Sequence, residues 1–153
     1  MRLHLQGEEA QEGFGRRLAR LLTGGWMVHL HGDLGTGKTT LVRGILRGLG
    51  HAGPVKSPTY TLIEPYELRG RPVFHLDLYR LGDPEELEYL GLRDRLGGEH
   101  VLLVEWPERA GTALPPADLE IHIAYAGQGR DIELVATGLR AQAVIQALGG
   151  AAD

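Results

Sequence analysis

The sequence predicts an α/β fold, a three-layer sandwich whose sheet has parallel central strands and antiparallel flanking strands. Three observations carry this. Two short, mainly apolar runs, Trp26 to His31 and Val101 to Val104, have the length and pattern of strands buried on both faces. Segments with apolar residues at helical spacing lie before and after the first of them. Towards the end, residues 118 to 125 and 130 to 136 alternate in polarity around Ala126-Gly127-Gln128-Gly129, the pattern of a half-exposed antiparallel pair. A length of 153 residues matches one domain, spanning 1–153, and lets the chain bury about 70% of its unfolded surface.

Taken in order, Arg2 to Gln6 reads as an edge strand and Glu8 to Leu22 as a helix with Phe14, Leu18, Leu21 and Leu22 on its apolar face. Thr23-Gly24-Gly25 ends that helix. After the strand at Trp26 to His31, a helix runs from Lys38 to Leu49, burying Leu41, Val42, Ile45, Leu46 and Leu49. Gly44 and Gly48 lower its intrinsic propensity and predict close packing on the sheet. Residues 51 to 57 form a loop. Two extended segments follow, Tyr60 to Leu68 and Arg71 to Tyr79, joined at Gly70. Asp83-Pro84-Glu85-Glu86 starts a helix that reaches Tyr89, with an Asp cap, Pro at its first position and acids in its first turn. His100 to Glu105 is a buried strand, and Leu139 to Leu148 closes the chain as a helix.

Composition narrows the class. A net charge of −4 removes the strongly basic footprint of a protein that grips nucleic acid by itself. The absence of cysteine excludes disulfide frameworks and thiolate chemistry. No apolar run is long enough to span a bilayer, and the chain opens without a secretory signal, so a cytoplasmic location with no membrane contact is expected. Fourteen arginines stand against two lysines, Lys38 and Lys56; Ser57 is the only serine, and there is no asparagine. Such a background fits a GC-rich genome or a hot habitat. Both lysines and the serine nevertheless fall in the two segments singled out next.

Gly32-Asp33-Leu34-Gly35-Thr36-Gly37-Lys38-Thr39 fills every fixed position of G-x-x-x-x-G-K-[ST], between a predicted strand and a predicted helix. Glycines at 35 and 37 permit positive φ and keep side chains away from a bound phosphate, so backbone N–H groups can point inward. The following helix adds partial positive charge at its amino end. Lys38, expected to be an exposed loop side chain, reaches the β and γ phosphates; the Thr39 hydroxyl ligates Mg²⁺, and Thr40 lies beside the α phosphate. The predicted sandwich is therefore of the P-loop NTPase-like kind.

Such a loop needs an acid near its metal, and two qualify. Glu105 ends the apolar run Val101 to Val104 and is the better match to the metal-shell acid, acting through a coordinated water. Asp77, in Phe74-His75-Leu76-Asp77, is the other. Sequence leaves open which acid holds the metal and which orients water. Thr59, in Lys56-Ser57-Pro58-Thr59-Tyr60, reads as a switch residue that closes over the γ phosphate and Mg²⁺. His29, His31 and His75 show no recognised metal-ligand spacing and are read as packing residues. The [NT]-K-x-D signature of guanine readers is absent, which favours ATP.

With GDLGTGKTT, SPTYTLIEPY, HLDLYRL, LVEWPER and the pair Gly129-Arg130 in that order, the chain resembles the bacterial TsaE (YjeE) family over residues 25 to 135. The resemblance implies a P-loop ATPase serving synthesis of N6-threonylcarbamoyladenosine in tRNA. Hydrolysis would be slow and would act on partner proteins, the threonylcarbamoyl transferase subunit and its dimerising paralogue; whether tRNA is touched directly is left open by the sequence. Thr39 and Glu105 would serve Mg²⁺, Thr59 would be the switch threonine, Asp77 the acid of the DLYR box, and Trp106 a family-typical aromatic. The rival readings are a small P-loop kinase and a nucleotide-dependent assembly switch without useful turnover.

Overall fold

A computed structural model describes residues 1–95 and 98–150. Residues 96, 97 and 151–153 of the expected single unit lie outside them. Seven strands form one sheet: β1 (Arg2–Leu5), β2 (Trp26–His31), β3 (Ile63–Leu68), β4 (Arg71–Asp77), β5 (Val101–Glu105), β6 (Leu119–Ala126) and β7 (Gly129–Ala136). Their spatial order is β1-β7-β6-β2-β5-β4-β3. The pairs β2/β5, β2/β6 and β4/β5 are parallel, whereas β1/β7, β6/β7 and β3/β4 are antiparallel. The predicted parallel centre and antiparallel flanks are thus realised on both sides.

Helices α1 (Glu8–Ala19), α2 (Lys38–Leu49) and α4 (Leu139–Gly150) cover one face, where Phe14, Leu18, Leu41, Ile45 and Val144 pack with Val28, Leu30, Leu103 and Ile121. The other layer is thinner: α3 (Glu86–Tyr89) and two short 3-10 segments, Leu92–Arg95 and Pro107–Ala113, the latter kinked at Gly111. Leu87, Leu92 and Ala110 pack there with Leu76, Leu102 and Val104. β2 and β5 lie at the centre of the sheet with a packed layer over each face, which is why both read as mainly apolar runs.

Several boundaries differ from expectation for identifiable reasons. The first helix stops at Ala19 rather than Leu22, because Leu21 and Leu22 turn their N–H groups to the carbonyls of Leu18 and Ala19. The strand expected from Tyr60 begins at Ile63, because Leu62 has a φ of 67° and breaks the extension before it. Asp83 and Glu86 do cap the next turn, through bonds to the N–H groups of Glu85 and of Gly82 and Asp83, but regular helix begins only at Glu86. Gly44 and Gly48 face α1, not the sheet: a Cβ at Gly44 would lie 2.3 Å from the Glu12 carbonyl oxygen.

Candidate nucleotide site

β2 delivers the chain into the glycine-rich loop, and α2 leaves it. Gly35 and Gly37 have φ of 80° and 102°, the left-handed conformations for which glycine was expected. The loop is braced from outside through its carbonyl oxygens. Thr36 Oγ1 donates to the Asp33 carbonyl at 2.8 Å, and Gln11 Nε2 of α1 to the Thr36 carbonyl at 3.1 Å. Arg130 Nε of β7 reaches that same carbonyl at 3.0 Å, and the Tyr125 hydroxyl of β6 reaches the Leu34 carbonyl at 2.7 Å. An anion cradled by N–H groups makes no demand on these oxygens.

Lys38 is not the exposed side chain expected of it. It is only 6% exposed, donates to the Gly32 carbonyl and lies 3.7 Å from the centroid of the Trp106 ring. Burial lowers its pKa, against the opposing charges of Glu105 and Asp77. Trp106 reaches beneath the ammonium because its own backbone is left-handed (φ 57°, ψ 48°) just after β5 ends. A bulky residue in that region is strained, and such strain collects at functional sites.

The Thr39 hydroxyl donates to Glu105, 3.2 Å from each carboxylate oxygen. Both acids sit at the strand ends nearest the loop, and register makes Asp77 and Glu105 neighbours on β4 and β5. With its proton on Nε2, fully buried His75 donates to Glu105 Oε2 at 2.5 Å. The reading of His75 as packing is thereby corrected: it orients an acid of the site. Asp77 Oδ1 accepts the Tyr79 N–H at 3.1 Å, and Oδ2 lies 3.5 Å from Thr59 Oγ1. Burial raises the Asp77 pKa; the Tyr79 N–H opposes that and nearby Glu105 adds to it. Thr59 also shares a 2.7 Å hydrogen bond with Ser57.

The adjacent Lys38 and Thr39 and the sequence-distant Glu105, Asp77 and Thr59 therefore converge at one mouth of the sheet. Asp33, Leu34 and Gly35 form the exposed crest of the loop; Thr36 and Thr40 are buried beneath it. Sequence reasoning assigned no role to Gln11, Tyr125 or Arg130. Only Arg130 left a signal, in the Gly129-Arg130 pair.

The fold and this site define a nucleotide-binding protein of the P-loop NTPase-like class. Residues 5–132 match the family model described as threonylcarbamoyl adenosine biosynthesis protein TsaE, and the chain belongs to the TsaE family. It is 50% identical over 128 residues to the tRNA threonylcarbamoyladenosine biosynthesis protein TsaE of Haemophilus influenzae, covering 80% of this chain and 81% of that one. The protein of the same name from Bacillus subtilis is 41% identical over 125 residues, covering 81% of this chain and 78% of the relative. The crystal structure of Bacillus subtilis YdiB superposes with a TM-score of 0.78 at 30% identity, covering 97% of this chain and 93% of YdiB. Among the described residues no helix is long and apolar enough to cross a membrane.

Proposed function

We propose that this protein is a cytoplasmic Mg²⁺-dependent ATPase, one domain over 1–153, that serves formation of N6-threonylcarbamoyladenosine in tRNA. Its slow turnover acts on a threonylcarbamoyl transferase subunit and that subunit's dimerising paralogue. The observation that carries the reading is the Thr39 hydroxyl against the Glu105 carboxylate, with His75 holding that carboxylate from behind. A hydroxyl and a carboxylate form a hard oxygen donor set, suited to Mg²⁺. Thr39 and Glu105 would hold that ion, Glu105 through a water, and the chemistry it would supply is neutralisation of charge on the phosphate oxygens. Lys38 exchanges the Gly32 carbonyl for phosphate oxygens. Asp77, its pKa raised by burial, orients the attacking water, and Thr59 closes over the phosphates from the 51–62 loop.

The two acids separate by titration. Glu105→Ala is expected to raise the Mg²⁺ concentration for half-maximal hydrolysis by about 10- to 100-fold, the usual cost of losing an outer-shell partner. Asp77→Ala is expected to lower kcat by about 10²-fold or more with the Mg²⁺ requirement unchanged. The opposite pattern would reverse the two roles. With γ-labelled ATP and cell metabolites, free phosphate is the expected product; a labelled acceptor would mean a kinase, and no turnover with partners present would mean an assembly switch.

Thr59→Ala tests the coupling. A ligand shifts a two-state equilibrium only by its differential affinity for the two states. The variant should therefore reduce the ratio of transferase affinities measured with an ATP analogue and with ADP more than it reduces nucleotide affinity. An unchanged ratio would leave Thr59 as a turn residue.

A further inference from the structure

Away from the nucleotide, on the sheet face opposite α1 and α2, β2 and β6 bring together side chains that the site does not use. His29 and His31 are two apart on β2 and so point to the same face. Glu120 of β6 is the register partner of His29, and His122 that of His31. One ligand atom from each of His29, His31 and Glu120 lies within 4.8 Å of the others, and His31 Nε2 is 3.1 Å from Glu120 Oε1. Ligands of a tetrahedral ion at about 2.1 Å stand about 3.4 Å apart, so modest side-chain adjustment closes the triad.

A second observation points the same way. His29 is 9% exposed, and its Nε2 has no hydrogen-bond partner among the described residues. A buried ring nitrogen without a partner is costly and asks for an explanation. It lines a cavity of about 570 Å³ together with His31, Glu120, Glu108 and Pro107. We infer that His29, His31 and Glu120 bind one divalent transition-metal ion of the zinc class, at a centre separate from the nucleotide site.

The surroundings supply what such a centre needs. Glu108 Oε2 lies 3.5 Å from His31 Nδ1, the place of the outer carboxylate that orients a metal-bound imidazole. His122 stacks on His31 at 4.5 Å with the rings 9° from parallel, which fixes the ring plane. The cavity leaves a fourth position for water or a ligand. Two imidazoles with one carboxylate favour zinc, cobalt or nickel over Mg²⁺, which prefers oxygen donors throughout. The location joins two segments that matter elsewhere: His31 directly precedes the glycine-rich loop, and Glu108 lies just beyond Glu105 and Trp106.

The test uses tag-free, chelator-stripped full-length protein, titrated with Zn²⁺ by calorimetry and with Co²⁺ by visible absorption. Wild type should take up one Zn²⁺ per chain, and Co²⁺ should show the strong bands of a four- or five-coordinate site. His29→Ala should weaken Zn²⁺ binding at least tenfold; Glu120→Gln, which preserves side-chain volume and hydrogen bonding, should do the same if the first variant fails to fold. Glu105→Gln should bind Zn²⁺ as wild type does. Failure of wild type to bind Zn²⁺, affinity unchanged in Glu120→Gln, or loss of binding in Glu105→Gln alone would each overturn the assignment.

Discussion

Lys38→Ala is expected to weaken ATP binding by about 10- to 150-fold while leaving the fold at least as stable. Hydrogen bonds to charged groups are worth about 1.5–3 kcal/mol each, and every 1.4 kcal/mol is tenfold in affinity. In the structure the ammonium is half provided for, by the Gly32 carbonyl and the Trp106 ring, so on the proposed reading nucleotide binding would exchange these contacts for phosphate contacts. That exchange keeps the expected loss at the scale of one or two bonds. The stability half follows from the lowered Lys38 pKa. A base whose pKa falls on folding costs stability wherever the unfolded chain carries its charge, and that cost fades as pH rises from the folded pKa to the unfolded one. Truncation removes the cost but also the cation–π contact, so the melting temperature should hold or rise. Calorimetry showing unchanged ATP affinity would remove Lys38 from the phosphate site.

The second large effect lies in the packing of α1 on α2. Gly44→Ala should lower Tm by about 4–8 °C, whereas Gly13→Ala should raise it by about 2–4 °C. Both glycines are helical, and alanine gains about 1 kcal/mol of helix propensity at either. At Gly13 a Cβ meets nothing within 4 Å, so that gain is kept. At Gly44 it would stand 2.3 Å from the Glu12 carbonyl oxygen and 2.8 Å from the Glu12 Cα, backbone atoms that cannot rotate away. Overpacking costs about 1–3 kcal/mol, and more where only backbone can yield; a net loss of about 2 kcal/mol at this chain length gives the stated shift. Thermal melts of the two variants with opposite signs are the check, and a rise at Gly44 would deny the close contact.

What was legible in the sequence was whatever depends on neighbours along the chain. The periodicities of β2, α2 and β5, and the glycines whose φ turned out positive in the loop, are local properties, and they were readable. The role of His75 was not, because it depends on β4 lying beside β5 in the sheet, which places the ring against Glu105. Gln11, Tyr125 and Arg130 reach the loop from 25, 91 and 94 residues away. No spacing rule connects them. Burial of Lys38 depends on the left-handed turn at Trp106, which pattern and propensity do not forecast for a tryptophan.

The glycine seam between α1 and α2 also divides the molecule mechanically. On its side, Gly15, Gly44 and Gly48 bring backbone against backbone, and Gln11 carries that rigidity into the loop itself. Across the loop, the 51–62 segment meets the site at Asp77, whose N–H donates to the Leu62 carbonyl at 3.0 Å and whose Oδ2 lies 3.5 Å from Thr59 Oγ1, and the chain beyond Trp106 bends at Gly111. On the proposed switch role of Thr59, the α1–α2 block would serve as an anvil, and movement started at the phosphates would be delivered to the face formed by the 51–62 loop, α3 and the Pro107–Ala113 segment. A molecule gripping the protein by α1 would be blind to the contents of the loop; one that reads them must hold it by the opposite face.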